Sequence, residues 1–94
     1  MESSPAEHHD VDGAALEAAF LVRLGAAVRR RRLAMGVSQE AFAERSGHHR
    51  NFIGGLERGE YNVGISGLFR IARALGCTMT ELIGEAETEQ GTAA

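Results

Sequence analysis

At positions 38–59 the chain reads SQEAFAERSGHHRNFIGGLERG, a pattern that predicts two short helices joined by a tight turn. Ser38 is a good N-cap, and Phe42 begins the apolar face of the first helix. Two helices that cross steeply need a small side chain where they touch and a left-handed residue at the corner. Ala43 and Gly47, four positions apart, supply these two properties, and a second apolar face follows at helical spacing.

The length and the single cysteine restrict the class of protein. A chain of 94 residues suits one small domain, and a helical bundle more than an enzyme with a deep pocket. Cys77 is the only cysteine, so the chain forms no disulfide framework and no cysteine-based zinc site. No apolar run approaches the ~20 residues that span a bilayer, and we expect no signal peptide because the N-terminus is acidic. We therefore expect a cytoplasmic protein.

The charges are unevenly distributed along the chain. The formal net charge is −3, yet the acids concentrate at residues 2–17 and 85–89, where there is no basic residue. Between residues 20 and 83, ten arginines face five acids, for a net charge of +5. A basic central domain of this kind is suited to a polyanion such as nucleic acid. Lysine is absent, and the many alanines and glycines are typical of a GC-rich bacterial genome.

The apolar spacing predicts an all-α fold of five helices, with no strand signal. The first helix ends near Met35, where Gly36 supplies the C-cap. The pattern leaves open whether this helix starts near Leu16 or near Phe20. The next two helices are expected at residues 39–46 and 50–56, the second capped by either His48 or His49.

The fourth and fifth helices complete the predicted domain. Ile65 and Leu68 belong to one apolar stripe of a fourth helix, which Gly76 ends. Thr78 and Glu81 form a capping box that starts a short fifth helix. The acidic ends show no periodicity, so the prediction is a disordered tail at 1–14, a DNA-binding domain at 15–83 and a second disordered tail at 84–94.

These motifs resemble the Cro and phage-repressor type of helix-turn-helix family (XRE-like). The resemblance covers about residues 24–83 and rests on the Ser-Gln-Glu opening, Ala43, Gly47, Ile53, the Leu-Glu-Arg-Gly run at 56–59 and the Ile-Ala-x-Ala-Leu-Gly run at 71–76. Within the family, the chain is most similar to controller proteins of restriction–modification systems and related small autoregulators. The resemblance implies a five-helix lambda-repressor-like bundle. It also implies a homodimer that binds a palindromic operator in double-stranded DNA and represses or activates transcription.

The resemblance places the N-terminal half of the third helix in the major groove. Phe52, Ile53 and Leu56 are expected to face inward, which leaves His49, Arg50, Asn51, Gly54 and Gly55 outward. Arg50 has the donor fork for guanine O6 and N7, and Asn51 suits adenine N6 and N7. We expect base contacts from His49, Arg50, Asn51 and Gly54. The alternative for Arg50 is a phosphate contact, and for Asn51 a local cap or a water contact.

Phosphate contacts are expected around this helix. By resemblance, Gln39 clamps a phosphate beside the recognition helix, where the amide groups and the positive dipole end of helix two also lie. Glu57 is expected to pair with Arg32, again by resemblance. The further phosphate candidates are Ser38, Arg58, Tyr61, Asn62 and Ser66.

A single domain of this size makes few DNA contacts, so we expect a second copy. The candidate dimer face comprises Phe69, Leu75, Met79, Leu82 and Ile83, some of which also close the core. The alternative function is an antitoxin or protein-binding module whose acidic tail wraps a basic toxin. A protein partner, toxin or polymerase, is therefore possible alongside DNA, and no membrane partner is expected.

Other chemistry finds little support in the chain. There is no Gly-rich phosphate loop and no nucleophile with a positioned base, so we expect no enzyme activity and no cofactor. The pairs His8-His9 and His48-His49 lack a third ligand at metal spacing, so we expect no metal site. The run of arginines at 29–32 points in four directions on a helix and cannot form one patch; Arg31 is expected to snorkel to water.

Overall fold

The computed structural model describes the backbone of residues 3–93 and the side chains of residues 12–88. Within those residues the fold is a bundle of helices, as predicted, with no strand. No helix in the described part of the chain is both long and apolar enough to cross a membrane. The helices are α1 (Ser3–Met35), α2 (Gln39–Ser46), α3 (Arg50–Glu57), α4 (Ile65–Leu75) and α5 (Met79–Ala93).

The α2–α3 corner forms as the local sequence predicts. The Ser38 hydroxyl accepts a hydrogen bond from the Ala41 backbone N–H at 3.0 Å and caps α2. Gly47 ends α2 in the left-handed conformation with φ 72°, which a residue with a side chain adopts only at a cost. The capping box is also confirmed, since Thr78 and Glu81 exchange backbone-to-side-chain hydrogen bonds of 3.0 Å at the start of α5.

One core joins all five helices. Helix α1 packs against α3, α4 and α5, while α2 packs against α3 and α4. The largest fully buried side chains include Phe42 of α2, Ile53 of α3 and Ile71 of α4. The buried apolar residues are Leu24, Ala27, Val28, Phe42, Ala43, Ile53, Leu56, Leu68, Ile71, Ala72, Leu75, Leu82 and Ala86.

Helix α5 continues beyond the position where a disordered tail was expected. Residues 84–88 lie within α5, and Ala86 is fully buried in the core. The Arg23 side chain of α1 donates from Nε to the Ala86 carbonyl oxygen at 2.8 Å, and Arg31 donates from Nε to Glu85 Oε2 at 2.9 Å. Packing of α5 against α1 therefore offsets the roughly 1 kcal/mol that a helical Gly84 costs. Arg31 engages Glu85, one of the acids that the antitoxin alternative assigns to a tail.

Helix α1 also starts earlier than either predicted position. Its backbone is helical from Ser3, so residues 3–14 of the expected N-terminal tail lie in α1. Extending an existing helix adds one hydrogen bond per residue without a new nucleation cost. Residues 1 and 2, the side chains of residues 3–11 with the His8-His9 pair, and the side chains from residue 89 onward lie outside the described part.

Gly25 sets the distance between α1 and α3. A Cβ built on Gly25 would lie 2.2 Å from the Leu56 carbonyl oxygen and 2.7 Å from the Glu57 carbonyl oxygen. Both atoms are backbone, so they move only if α3 moves as a whole. The sequence pattern did not reveal this requirement, because Gly25 lies inside a helical stretch whose apolar residues alone define the stripe.

We expect Gly25→Ala to destabilise the fold by about 3 kcal/mol, because overpacking against backbone forces α1 and α3 apart. Gly13→Ala is the matched control on the same helix, since no atom lies within 4 Å of its Cβ position. This control should be neutral or stabilising by up to about 1 kcal/mol. Urea unfolding of the two variants and the wild type measures the difference. Equal unfolding midpoints for the two variants would contradict the close approach of the helices.

Candidate nucleic-acid interface

The first turn of α3 presents polar side chains to solvent. His49, Arg50 and Asn51 are all exposed. His49 is the N-cap, and its Nδ1 accepts a hydrogen bond from the Asn51 backbone N–H at 3.2 Å. The alternative cap, His48, is thereby excluded. Three of the four predicted base-contacting residues thus lie together on the open edge of α3.

A buried ion pair holds α3 in place. Arg32 and Glu57 are only 6% and 7% exposed, and Arg32 donates from Nε to Glu57 Oε2 at 2.6 Å and from Nη2 to Oε1 at 3.0 Å. Arg32 Nη1 also donates to the Val37 carbonyl oxygen at 2.9 Å. The hydrogen bond to Glu57 raises the pKa of Arg32, against the lowering effect of burial. The predicted Arg32–Glu57 pair is confirmed, and it connects α1 to the end of α3.

Gln39 adds α2 to the same network. Its Nε2 donates to Glu57 Oε1 at 3.0 Å, so the carboxylate receives donors from two other helices. The Gln39 amide lies beside α3, with Oε1 3.6 Å from the Cβ position of Gly54. Because a buried charge is stable only when its partners satisfy it, the three side chains fix α1, α2 and α3 relative to one another.

The two glycines of α3 are both buried, although the sequence pattern assigned them to the outward face. A Cβ on Gly55 would lie 2.3 Å from Cε2 of Tyr61, so the tyrosine ring occupies the space of the missing side chain. A Cβ on Gly54 would lie 3.3 Å from Arg58 Nη1, and Gln39 flanks the same position. The outward prediction is therefore wrong for Gly55, while Gly54 faces the open side but is covered by two flexible side chains.

An aromatic stack supports the side of α3. The rings of His48 and Phe52 stack with centroids 5.0 Å apart, and those of Phe52 and Tyr61 with centroids 5.7 Å apart. Tyr61 is 43% exposed, so one face of its ring packs on α3 while the other edge reaches solvent. The stack orients the loop that follows α3 along the open edge of that helix.

His48 belongs to the junction of α2, α3 and α4 rather than to the open edge. Its Nε2 lies 3.3 Å from Arg70 Nη2, and its Nδ1 lies 3.3 Å from the Ser46 hydroxyl. Since guanidinium can only donate, His48 Nε2 accepts and Nδ1 carries the proton. Burial, with Arg70 as a second cause, lowers the pKa of His48. Among the described residues, no three His, Cys, Asp or Glu side chains cluster to hold a metal ion.

Further polar side chains lie beside the open edge of α3. Arg58 is exposed and forms a two-pronged ion pair with Glu60, Nε to Oε2 at 3.0 Å and Nη2 to Oε1 at 3.1 Å. This hydrogen bond raises the pKa of Arg58 and lowers that of Glu60. A polar cleft runs between these groups and α3. Its lining residues are Gln39, Arg50, Asn51, Gly54, Arg58 and Tyr61; the predicted phosphate-contacting residues Ser38, Asn62 and Ser66 are exposed.

The arginine run 29–32 divides as the helical geometry predicts. Arg29 and Arg30 are exposed, Arg31 pairs with Glu85, and Arg32 pairs with Glu57. Arg31 was expected to bury its stem and keep its head in water, but the guanidinium instead donates to Glu85, because α5 continues far enough to bring that carboxylate alongside α1. One member of the run, Arg32, helps to fix α3 through its pair with Glu57. The four arginines do not form a continuous basic patch.

The proposed dimer face is only partly exposed. Leu75 is 7% exposed and Leu82 is fully buried, so both belong to the core, and their prediction as dimer-face residues is wrong. Phe69 is 52% exposed, and Met79 and Ile83 are half-buried. The spacing predicts Ile65 on the inward stripe of α4, but Ile65 is 74% exposed, so that prediction is wrong.

An apolar groove lies between α4 and α5. Its lining residues are Phe69, Ala72, Arg73, Cys77, Thr78, Met79 and Thr80. Cys77 is partly buried there, and burial raises the pKa of its thiol. Ile65 lies one turn before Phe69 on α4, and the groove shares Ala72 with the buried stripe of that helix.

Comparison with known proteins identifies similar sequences and structures. The helix-turn-helix family model (HTH_3) matches residues 28–82, more than half of the chain. The sequence is 44% identical over 64 residues to Control protein C.SmaI of Serratia marcescens, covering 68% of this chain and 71% of that protein. The structure resembles the restriction-modification controller protein C.AhdI from Aeromonas hydrophila, with 42% identity and a TM-score of 0.64, covering 66% of this chain and 94% of that chain. It also resembles the clp gene regulator ClgR from Corynebacterium glutamicum, with 30% identity and a TM-score of 0.74, covering 79% of each chain.

We expect Glu57→Ala to lower the free energy of unfolding by about 3–5 kcal/mol, because it leaves Arg32 buried without its counter-charge. Glu60→Ala is the matched control, since it removes an exposed carboxylate from an exposed ion pair and should leave stability nearly unchanged. The double variant Arg32→Met/Glu57→Leu should recover most of the loss. Urea unfolding measures all three, and an equal small loss for Glu57→Ala and Glu60→Ala would contradict the structural role of the buried pair.

Proposed function

The chain belongs to the helix-turn-helix family, and we propose that it acts as a homodimer on a palindromic DNA operator. Its function is that of a DNA-binding transcriptional regulator. The observation that carries the proposal is the open edge of α3, where Arg50 and Asn51 are exposed on a helix that the Arg32–Glu57 pair anchors. The regulator would act in the cytoplasm, where the chromosome of a bacterium lies.

The base-reading part of the interface is the first half of α3. Arg50 supplies the donor fork for guanine, and Asn51 supplies the donor and acceptor pair for adenine. The His49 ring uses Nδ1 to cap α3, which leaves Nε2 to face the groove. Gly54, just beyond this half, is covered by the ends of Gln39 and Arg58 and contributes through the absence of a side chain that would hold α3 away from the base edges. Support comes from the common exposure of the first three residues on one helix end.

Phosphate contacts on both sides of α3 would fix the register on the duplex without reading sequence. Ser38 and Gln39 lie at the N-terminus of α2, where free amide groups and the helix dipole favour an anion. On the other side, the loop after α3 and the start of α4 carry exposed polar groups. The phosphate-contacting set comprises Ser38, Gln39, Tyr61, Asn62 and Ser66.

The second copy of the chain would cover the apolar surface between α4 and α5. Exposed Phe69 and Ile65 flank the groove that Met79 and Cys77 help to line. Large apolar side chains grouped on one surface of a small domain are typical of an interaction site. A two-fold axis here would present two α3 helices to half-sites about 34 Å apart, and two half-sites give the affinity that one domain lacks.

We expect Arg50→Ala to relax sequence specificity, because removal of a bidentate guanine contact costs about 1–3 kcal/mol of discrimination. Ser66→Ala, which removes an exposed phosphate candidate, should weaken binding to all duplexes alike. Titration of operator and scrambled duplexes at several salt concentrations separates the two effects, and wild-type binding should weaken steeply with salt. An unchanged operator-to-scrambled affinity ratio for Arg50→Ala would contradict its base-reading role.

We expect Phe69→Glu to raise the dimer dissociation constant at least about 100-fold, since it places a charge inside an apolar interface and removes an exposed phenyl ring. Leu33→Glu is the matched control, because Leu33 is 51% exposed on α1, away from the groove. Sedimentation equilibrium measures the association state of each. Dimers of equal strength in both variants would place the interface elsewhere.

A further inference from the structure

We propose that Arg58 reads a guanine in each half-site and that Glu60 holds its guanidinium in the reading position, an inference that rests on the proposed function. The sequence pattern assigned Arg58 to a phosphate. The placement of its guanidinium, the carboxylate beside it and the space above Gly54 together favour a base edge as its target.

The ion pair with Glu60 leaves the distal fork of Arg58 open. Glu60 takes the hydrogens of Nε and of one side of Nη2, at 3.0 Å and 3.1 Å. The remaining parallel pair of N–H groups is on Nη1 and the far side of Nη2. That pair has the spacing that matches guanine O6 and N7. The Glu60 carboxylate thus orients the guanidinium through its Nε edge and leaves the Nη1–Nη2 edge available to another acceptor.

The missing side chain of Gly54 leaves the space that the Arg58 guanidinium occupies. Arg58 Nη1 is 3.3 Å from the Cβ position of Gly54, so the guanidinium extends back across the outward side of α3. A residue with a side chain at position 54 would occupy this space. Arg58 lines the same cleft as Arg50 and Asn51, so its fork joins their side chains on one surface.

The charge of Glu60 argues against a phosphate as the target. The two side chains of the pair carry opposite charges, and both are exposed, 60% for Arg58 and 53% for Glu60. A phosphate at the free edge of Arg58 would bind a side-chain pair whose net charge is zero, so the Glu60 carboxylate cancels part of the attraction. A guanine edge carries no net charge, so it gains the two hydrogen bonds without this repulsion. The pair therefore favours base reading and adds little to non-specific binding.

The test compares duplexes selected from a random pool by wild type, Arg58→Lys, Arg58→Ala and Glu60→Gln. Wild type should select a palindromic site with a guanine in each half that Arg58→Ala no longer specifies, a loss of about 5-fold to 100-fold in preference at that base. Arg58→Lys should lose the same preference, because an ammonium lacks the planar fork. Glu60→Gln should reduce it, and the double variant Arg58→Ala/Glu60→Gln should lose no more than Arg58→Ala alone. Arg29→Ala, an exposed arginine on α1, is the control for a lost charge and should leave the selected sequence unchanged.

Three outcomes would overturn the inference. One is an unchanged selected sequence with Arg58→Ala, accompanied by weaker binding to every duplex and a salt slope reduced by about one, as for a phosphate contact. Another is tighter binding of Glu60→Gln to every duplex at unchanged base preference, which would make Glu60 a competitor rather than a support. In both cases the proposed function would stand. If folded wild type selects no sequence at all, the proposed function falls as well.

Discussion

The buried carboxylate of Glu57 is the point on which the geometry of this protein depends. It receives hydrogen bonds from Arg32 of α1 and from Gln39 of α2, and it ends α3, so one side chain fixes three helices. A buried ion pair adds little stability by itself, because desolvation offsets the attraction between the charges. The pair instead fixes geometry, since both of its hydrogen bonds form in only one relative placement of the helices. An exposed helix edge can present donors at fixed positions only if the helix behind it does not shift.

Three glycines determine how closely other parts of the chain approach α3. Gly25 brings α1 against the terminal carbonyl groups of α3, and Gly55 admits the ring of Tyr61. Gly54 leaves the opposite side clear for the ends of Gln39 and Arg58. Two glycines in one eight-residue helix cost about 2 kcal/mol of helix propensity. Tertiary contacts made possible by their missing side chains offset that cost, and the same contacts set the surface of the polar cleft.

Sequence reasoning succeeded for the caps and turns, whose signals are local. The caps at Ser38 and Thr78 and the left-handed turn at Gly47 are set by residues within four positions of one another, and the structure confirms each of them. Helical periodicity likewise placed α2, α3 and α4 within a residue of their observed bounds. The exposed residues at the start of α3 followed from the same period, because the inward positions there are large and apolar. The Arg32–Glu57 pair, 25 positions apart, followed from the family resemblance and not from a local pattern.

The chain by itself thus determined α2, α3 and α4, the caps at Ser38 and Thr78, the α2–α3 corner and the polar end of α3, since each depends on near neighbours. The start of α1 and the end of α5 did not follow from the pattern. Tertiary structure alone decided which apolar residues are covered: Ile65 and Leu75 share α4, yet one is exposed and the other buried. It also placed Ala86 in the core and Arg58 over Gly54. Burial of a side chain depends on where other helices begin and end. The orientation of the Arg58 guanidinium depends on the Glu60 carboxylate and on the open space above Gly54. The sequence pattern near a residue carries neither piece of information.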